Sequence, residues 1–355
     1  MKSILSTNYY VHFQQNGYSS MHSYLKENSY SKIFVLVDTN TKAFCLPQFL
    51  KKTNFNVTVE IIEIRAGEAF KNIDTCTYLW KSLSDLGADR KSLMINLGGG
   101  VISDMGGFVA STFKRGIDFI NVPTTLLSMV DASVGGKTGV DLGVLKNQIG
   151  LFSNPEMVLI DMDFLHTVTH REMKSGLAEI IKYGFTFDEK LWQNIQTFTD
   201  IELEKIRPLI YRSIEIKNEV VLQDLLENNL RKSLNFGHTI GHAIESYFLE
   251  SVAKKDLTHG EAIAIGMVIE LYFSSKLYDF PITLVDDLKA FVNHFYGKVP
   301  MEQGDFAPII DLMKYDKKNV SGKVNFVLLE AMETCLIDVQ VSPELLKEGF
   351  LYYML

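Results

Sequence analysis

Through the first half of the chain, short apolar runs alternate with amphipathic stretches of helical spacing. Ile33–Val37, Val57–Ile64, Leu93–Leu97, Phe119–Val122 and Val158–Ile160 are rich in β-branched residues and mostly bounded by Gly, Asn, Asp or Pro, which predicts strands. Ile73–Leu86 carries the 3.6-residue apolar spacing of a helix lying between two of them. This rhythm predicts βαβ units and a largely parallel sheet, an α/β Rossmann-like domain over residues 1–165. From about His166 the pattern changes. Arg171–Tyr183, Ile206–Glu227, Gly241–Phe248 and Gly260–Leu277 show helical spacing, and only Val324–Leu329 and Leu336–Val341 read as extended. A mainly α-helical second domain is therefore expected over residues 166–355.

A chain of 355 residues has room for two domains, and its 46% hydrophobic and 22% charged content is ordinary for a globular enzyme. Lys+Arg 35 against Asp+Glu 43 gives a net charge of −8, the wrong sign for a nucleic-acid footprint. Cys45, Cys76 and Cys335 lie far apart, with neither metal spacing nor a disulfide framework, and read as reduced thiols. Met1–Phe13 has no apolar core of a secretory signal, and Ala262–Phe273, interrupted by Glu270, is too short to span a bilayer. These features predict a cytoplasmic protein with no membrane partner.

Ligands of parallel sheets bind beyond the carboxyl ends of the strands, and here those ends carry Asp38-Thr-Asn40 and Gly98-Gly99-Gly100. Glycines between a strand and a helix let the backbone approach a pyrophosphate, and the helix N-terminus favours an anion. The G-x-G-x-x-G fingerprint is not met, because Ser103 and Asp104 stand where the third glycine belongs; the triplet fits a tight turn equally well. Asp38 has two readings as well, a partner for ribose hydroxyls or a plain turn former. Val134-Gly-Gly-Lys137-Thr138 resembles a phosphate loop, but Asp131 occupies the position of its first glycine, which disfavours a nucleotide triphosphatase. What remains is Lys137 on a glycine-flanked loop, followed by Lys146 and Asn147, a set suited to a small anion.

Asn235-Phe-Gly-His238-Thr-Ile-Gly-His242-Ala-Ile-Glu245 places two histidines one helical turn apart, and His259-Gly-Glu261 follows. Two imidazoles and one carboxylate with an open position is a common catalytic zinc arrangement. Spacing alone selects His238 and His242 as the pair. Thr239 stands where a metalloprotease has its glutamate, so proteolysis is disfavoured.

Taken together, Gly98-Gly-Gly-Val-Ile-Ser-Asp, Pro123-Thr-Thr-Leu-Leu, Asp131-Ala-Ser-Val-Gly-Gly-Lys-Thr-Gly-Val, Ala178-Glu-Ile-Ile-Lys-Tyr-Gly, the Asn235–Glu245 segment and His259-Gly-Glu-Ala resemble the motifs of 3-dehydroquinate synthases, within the sugar phosphate cyclase superfamily. The resemblance runs from about Asp38 to Lys318, with the motifs in order. Ser103 replaces a frequent glycine, and nothing before Asp38 matches. The resemblance implies NAD and a divalent metal, zinc or cobalt, as cofactors, a phosphorylated small-molecule substrate, and a homodimer. It also reassigns the metal ligands to Glu179, His238 and His259, and turns His242 toward the reacting phosphate region.

By the same resemblance Arg115, Asp131, Lys137, Asn147, Lys182, Lys217, Glu227, Arg231, Asn235 and His242 form the substrate and catalytic set. Asp316-Lys-Lys318 adds a phosphate-binding lysine, Lys317 being favoured over Lys318. The NAD positions are Asp38, Asn40, Glu68, Lys71, Gly99, Gly100, Asp104, Thr124, Thr125 and Lys146. Asn235 and His242 are the positions that vary with substrate across the superfamily. The plain structural reading makes Asn235 a helix N-cap and His242 a packed helix residue. The implied activity is conversion of 3-deoxy-D-arabino-heptulosonate 7-phosphate to 3-dehydroquinate and phosphate. Its rivals are another sugar phosphate cyclase, a metal-dependent polyol dehydrogenase of the glycerol dehydrogenase type, and an inactive NAD-binding regulator.

Overall fold

A computed structural model describes residues 1–53, 55, 57–143, 145–314 and 323–355. The chain divides into two compact units. The first comprises residues 1–143, 147–169 and 210–222; the second comprises 144–146, 170–209 and 223–355. The long helix Leu203–Gln223 thus contributes to both.

The first unit is built on β1 (Ile4–Leu5), β2 (Tyr10–Phe13), β3 (Ile33–Asp38), β4 (Val59–Ile64), β5 (Leu93–Gly98), β6 (Asp118–Pro123), β7 (Lys137–Leu142), β8 (Leu145–Phe152, its first two residues counted with the second unit) and β9 (Met157–Ile160). Seven of these strands form one sheet in the order β1-β2-β9-β6-β5-β3-β4, all neighbours parallel except the β1–β2 pair. β5 and β9 are buried along their whole length and β3 nearly so, as strands covered on both faces must be, which is why they read as continuous apolar runs. The helices Ile73–Asp85 and Gly100–Thr112 pack on this sheet through Leu79, Leu83, Ile102, Met105 and Val109.

Two expectations need correction here. The segment around Lys137 is not a loop: Lys137 opens β7, which pairs with β8 as a separate two-stranded sheet. The helix expected over Ile206–Glu227 stops at Gln223. There the Asp224 carboxylate accepts the backbone N–H groups of Asn228, Asn229 and Arg231 at 3.0, 2.7 and 3.0 Å, folding the following segment around itself.

The second unit is mainly helical, with one small hairpin, Phe326–Ala331 and Thr334–Val339. Its centre is the helix His259–Leu277, apolar on every side as a fully surrounded helix should be. A Cβ on Gly260 would lie 2.1 Å from the Ser175 carbonyl oxygen, and one on Gly266 2.0 Å from that of Gly237. Only glycine permits these approaches, so the helices His170–Thr186 and His238–Glu250 meet this helix nearly backbone to backbone. No helix among the described residues is long and apolar enough to cross a membrane.

Candidate active site

Three helices of the second unit bring the metal candidates together. Thr258 and Glu261 close a capping box that starts the helix at His259, and Arg171 grips Glu261 with two nitrogens at 2.9 and 2.6 Å. Gly237, in the left-handed conformation at φ 77°, is the N-cap of the helix beginning at His238, and its N–H is received by Glu270 Oε2 at 2.7 Å. Asn235 is therefore not that helix's N-cap; it ends the preceding 3-10 turn. Glu179 lies one turn beyond Ser175 on the helix His170–Thr186.

The carboxylate of Glu179 is fully buried. Its Oε2 receives Lys182 Nζ. Its Oε1 has no hydrogen-bond partner and stands 3.4 Å from His238 Nε2 and 3.5 Å from His259 Nε2. Ligand bonds of about 2.0–2.1 Å at a tetrahedral angle place neighbouring donor atoms roughly 3.3 Å apart. An orphaned buried oxygen at that spacing from two imidazole nitrogens fits a divalent cation. The remaining ring nitrogens are engaged, His238 Nδ1 with the Phe236 carbonyl at 3.0 Å and His259 Nδ1 with Glu245 Oε2 at 3.1 Å. His238, His242 and His259 also converge, their nearest ring nitrogens within 4.8 Å of one another. Two donor sets therefore share His238 and His259, and differ in Glu179 or His242 as the third member.

Burial raises the Glu179 carboxyl, but Lys182 and His238 outweigh it and hold the group well below the usual carboxylate range. Burial pushes His238 down against the pull of Glu179, which favours the neutral, ligand form of the ring. His259 is opposed by burial yet driven up to about 10 by Glu179 and Glu245.

Beside this cluster, Asn235 Nδ2 donates to Glu227 Oε1 at 2.9 Å. Arg231, buried, is fixed by the Leu225 carbonyl at 2.8 Å. Lys146 Nζ pairs with Glu245 Oε1 at 3.2 Å, both side chains buried. Glu245, Glu261 and Glu270 are supports that sequence reading did not assign. Glu245 lay in a quoted motif, and the signal was its i+7 spacing from His238 on one helix face.

The first unit holds other groupings. Lys71 Nζ reaches Asp104 Oδ2 and Asn147 Oδ1, each at 2.6 Å, and Asp104 outweighs burial to hold the lysine above its ordinary range. Lys217 Nζ binds Asp131 Oδ1 at 2.8 Å as well as the Asp131 carbonyl, where Asp131 sits on a single π-helical turn. Gly99 caps the helix Gly100–Thr112 without a side-chain cap, and a Cβ there would come within 3.1 Å of Thr125. Thr124 N–H donates to the Gly98 carbonyl at 3.0 Å. This is a glycine cradle at the N-terminus of a thirteen-residue helix, which suits a pyrophosphate. The third fingerprint glycine has its equivalent in Gly106, whose Cβ would fall 2.1 Å from Asn96 Oδ1 on β5.

Asp38 uses one oxygen to cap the following short helix, receiving Asn40 and Thr41 N–H at 2.8 Å each. Glu68 opens a short 3-10 turn ending just before Lys71. Arg115 is exposed, at φ 71°, and enters none of these groupings. Arg115, Asn147 and Glu227 are three of eight non-glycine residues in the left-handed region among the described residues. Lys317 and Lys318 lie outside the described residues.

Two family models match the chain in succession. Residues 61–175 match the 3-dehydroquinate synthase N-terminal model and residues 176–319 the C-terminal one. The chain belongs to the 3-dehydroquinate synthase family. A 3-dehydroquinate synthase of Parabacteroides distasonis is 40% identical over 338 residues, 94% of this chain and 95% of that one. Among solved structures, a 2-deoxy-scyllo-inosose synthase complexed with carbaglucose-6-phosphate, NAD+ and Co2+ superposes with a TM-score of 0.84 at 24% identity, covering 98% of each chain. A 2-epi-5-epi-valiolone synthase from Streptomyces hygroscopicus, with NAD+ and Zn2+ bound, gives 0.86 at 22% identity over 100% of this chain and 99% of that one. At these identities the two cyclases share the fold with the family.

Proposed function

We propose that this chain converts 3-deoxy-D-arabino-heptulosonate 7-phosphate to 3-dehydroquinate and phosphate, within the synthesis of aromatic amino acids. In this reading residues 1–165 bind NAD+ and residues 166–355 carry the metal and most of the substrate contacts. The protein works as a cytoplasmic homodimer. The observation that carries the reading is Glu179 Oε1, buried and unpartnered between two imidazoles in a family whose relatives bear this name. When bound, NAD+ supplies a reversible hydride acceptor, and zinc or cobalt supplies Lewis-acid polarisation of the substrate oxygens.

Glu179, His238 and His259 hold the cation, and Lys182 keeps Glu179 ionised and oriented. Lys137, Asn147, Lys182, Arg231, Arg115 and Lys317 provide the positive and amide contacts for a departing phosphate. Asp131, steadied by Lys217, receives substrate hydroxyls. Asn235, held by Glu227, presents a neutral amide beside the substrate carboxylate. His242 carries a proton on the phosphate side. Asp38 and Asn40 face the adenosine ribose. Gly99, Gly100, Thr124 and Thr125 cradle the pyrophosphate, while Glu68, Lys71, Asp104 and Lys146 complete the NAD contacts.

The test is incubation of the heptulosonate phosphate with the protein, substoichiometric NAD+ and Zn2+ or Co2+, measuring phosphate and dehydroquinate. Many turnovers per NAD+ are expected, with no net rise in nicotinamide absorbance. Accumulation of NADH in step with product indicates a dehydrogenase, and preference for sedoheptulose 7-phosphate indicates a different cyclase; either result overturns the assignment.

A further inference from the structure

The two imidazoles assigned to the metal are steadied differently. His238 Nδ1 meets a backbone carbonyl at 3.0 Å, whereas His259 Nδ1 meets the carboxylate of Glu245 at 3.1 Å. Glu245 stands seven residues after His238 on the helix His238–Glu250, two turns along the same face, and is only 7% exposed. Its second oxygen is taken by Lys146 Nζ at 3.2 Å, with side chains 7% and 8% exposed. An ammonium and an imidazole thus divide one buried carboxylate.

We propose that Glu245 is a positioning residue of the metal centre: it fixes the tautomer and direction of His259 so that Nε2 faces Glu179, and Lys146 pins Glu245 in the rotamer that does so. The inference rests on the metal set proposed above and adds a carboxylate–imidazole–metal relay to it. Such a partner orients the ring and raises its basicity, and its loss lowers metal affinity about 10- to 100-fold. A buried ion pair that serves packing alone predicts no such change in metal affinity. The strap also ties a lysine assigned to NAD+ to an imidazole assigned to the metal through one side chain.

The experiment measures the Zn2+ dissociation constant of the full-length protein by competition with a chromophoric chelator, and the d–d spectrum of the Co2+ form. Glu245→Ala is expected to weaken zinc binding about 10- to 100-fold, the isosteric Glu245→Gln to weaken it less, and both to alter the cobalt spectrum. The glutamine variant preserves the side-chain shape and decides the matter should the alanine variant not fold. Lys146→Met is expected to move the zinc constant by at least about two-fold in the wild-type background and not in the Glu245→Gln background, because the two residues couple through one group. Wild-type zinc affinity in both Glu245 variants overturns the proposal, and an equal Lys146 effect in both backgrounds removes Lys146 from it. Failure of the wild-type protein itself to bind zinc instead overturns the metal assignment on which it stands.

Discussion

Glu179 and His242 compete for one place in the donor set, and side-chain deletions separate them. Glu179→Gln, His238→Ala and His259→Ala are each expected to leave the purified protein without stoichiometric zinc by elemental analysis, while His242→Ala keeps it. The reverse result for Glu179 and His242 makes the three imidazoles the ligands. Glu179→Ala carries a second penalty, since Lys182, 1% exposed, is left buried without its carboxylate, a cost of about 3–5 kcal/mol. Asn235 lies 2.9 Å from Glu227, so Asn235→Asp sets two carboxylates against each other and against the substrate's own. Turnover is expected to fall by about one to three orders of magnitude, one pKa-unit equivalent per ten-fold, with zinc and NAD+ binding retained. At this scale the sequence supplied candidates but not priorities. Spacing alone pointed to His238 with His242, because nothing local announces that Glu179 is within 3.5 Å of His259, eighty positions away.

The strands buried along their length were legible as apolar runs. The parallel strands β3, β5 and β9 are apolar but for Asp38 and Asn96, and stood out. β7 and β8 did not, and glycines explain it: a Cβ on Gly139 would meet the Ile149 carbonyl oxygen at 2.5 Å, and one on Gly150 the Thr138 carbonyl oxygen at 2.2 Å. The residues that let this hairpin close are those that make its sequence look like a loop. The overlong helix prediction had another cause, the Asp224 carboxylate that captures three backbone N–H groups. Burial raises that carboxyl's pKa, but those N–H groups outweigh it and hold it below 3.8. Its stabilisation is therefore complete above the unfolded value and lost as pH falls through the lowered native one. Urea midpoints of wild type and Asp224→Asn should differ at neutral pH, begin to draw together as pH falls below 3.8, and meet only below the lowered native value; a difference that stays undiminished in acid removes the charge from the account. Gly260→Ala tests the helix contact itself. Its methyl would sit 2.1 Å from the Ser175 oxygen, so the helices must part, at about 1–3 kcal/mol or more, with a lower melting temperature and weaker zinc binding together.

For the whole molecule, charge sets a constraint that composition hides. The chain carries a net charge of −8, yet Lys71 and Lys217 in the first unit and Lys146, Lys182 and Arg231 in the second are buried, each of the four lysines against a carboxylate. Chelation is expected to abolish activity, and added Zn2+ or Co2+ to restore it, with NAD+ binding retained by equilibrium dialysis. Activity that survives thorough chelation removes the metal from catalysis. The two-domain character was visible in the change of texture near His166, whereas the exchange of residues 144–146 and 210–222 between units was not, since membership there is decided by tertiary neighbours.

The placement of Glu179, His238 and His259 on three successive parts of the chain also bears on how the protein is made. A ribosome adding about 5–20 residues per second reaches His259 roughly 4–16 s after Glu179. Until His238 is added the nascent chain carries the carboxylate and its lysine alone, and until His259 is added it still lacks the third donor. Every strand of the seven-stranded sheet has by then been synthesised. On the proposed ligand set, metal capture is thus a late event of biosynthesis, and a polypeptide interrupted between those two positions leaves the ribosome with every strand of the seven-stranded sheet and an incomplete donor set.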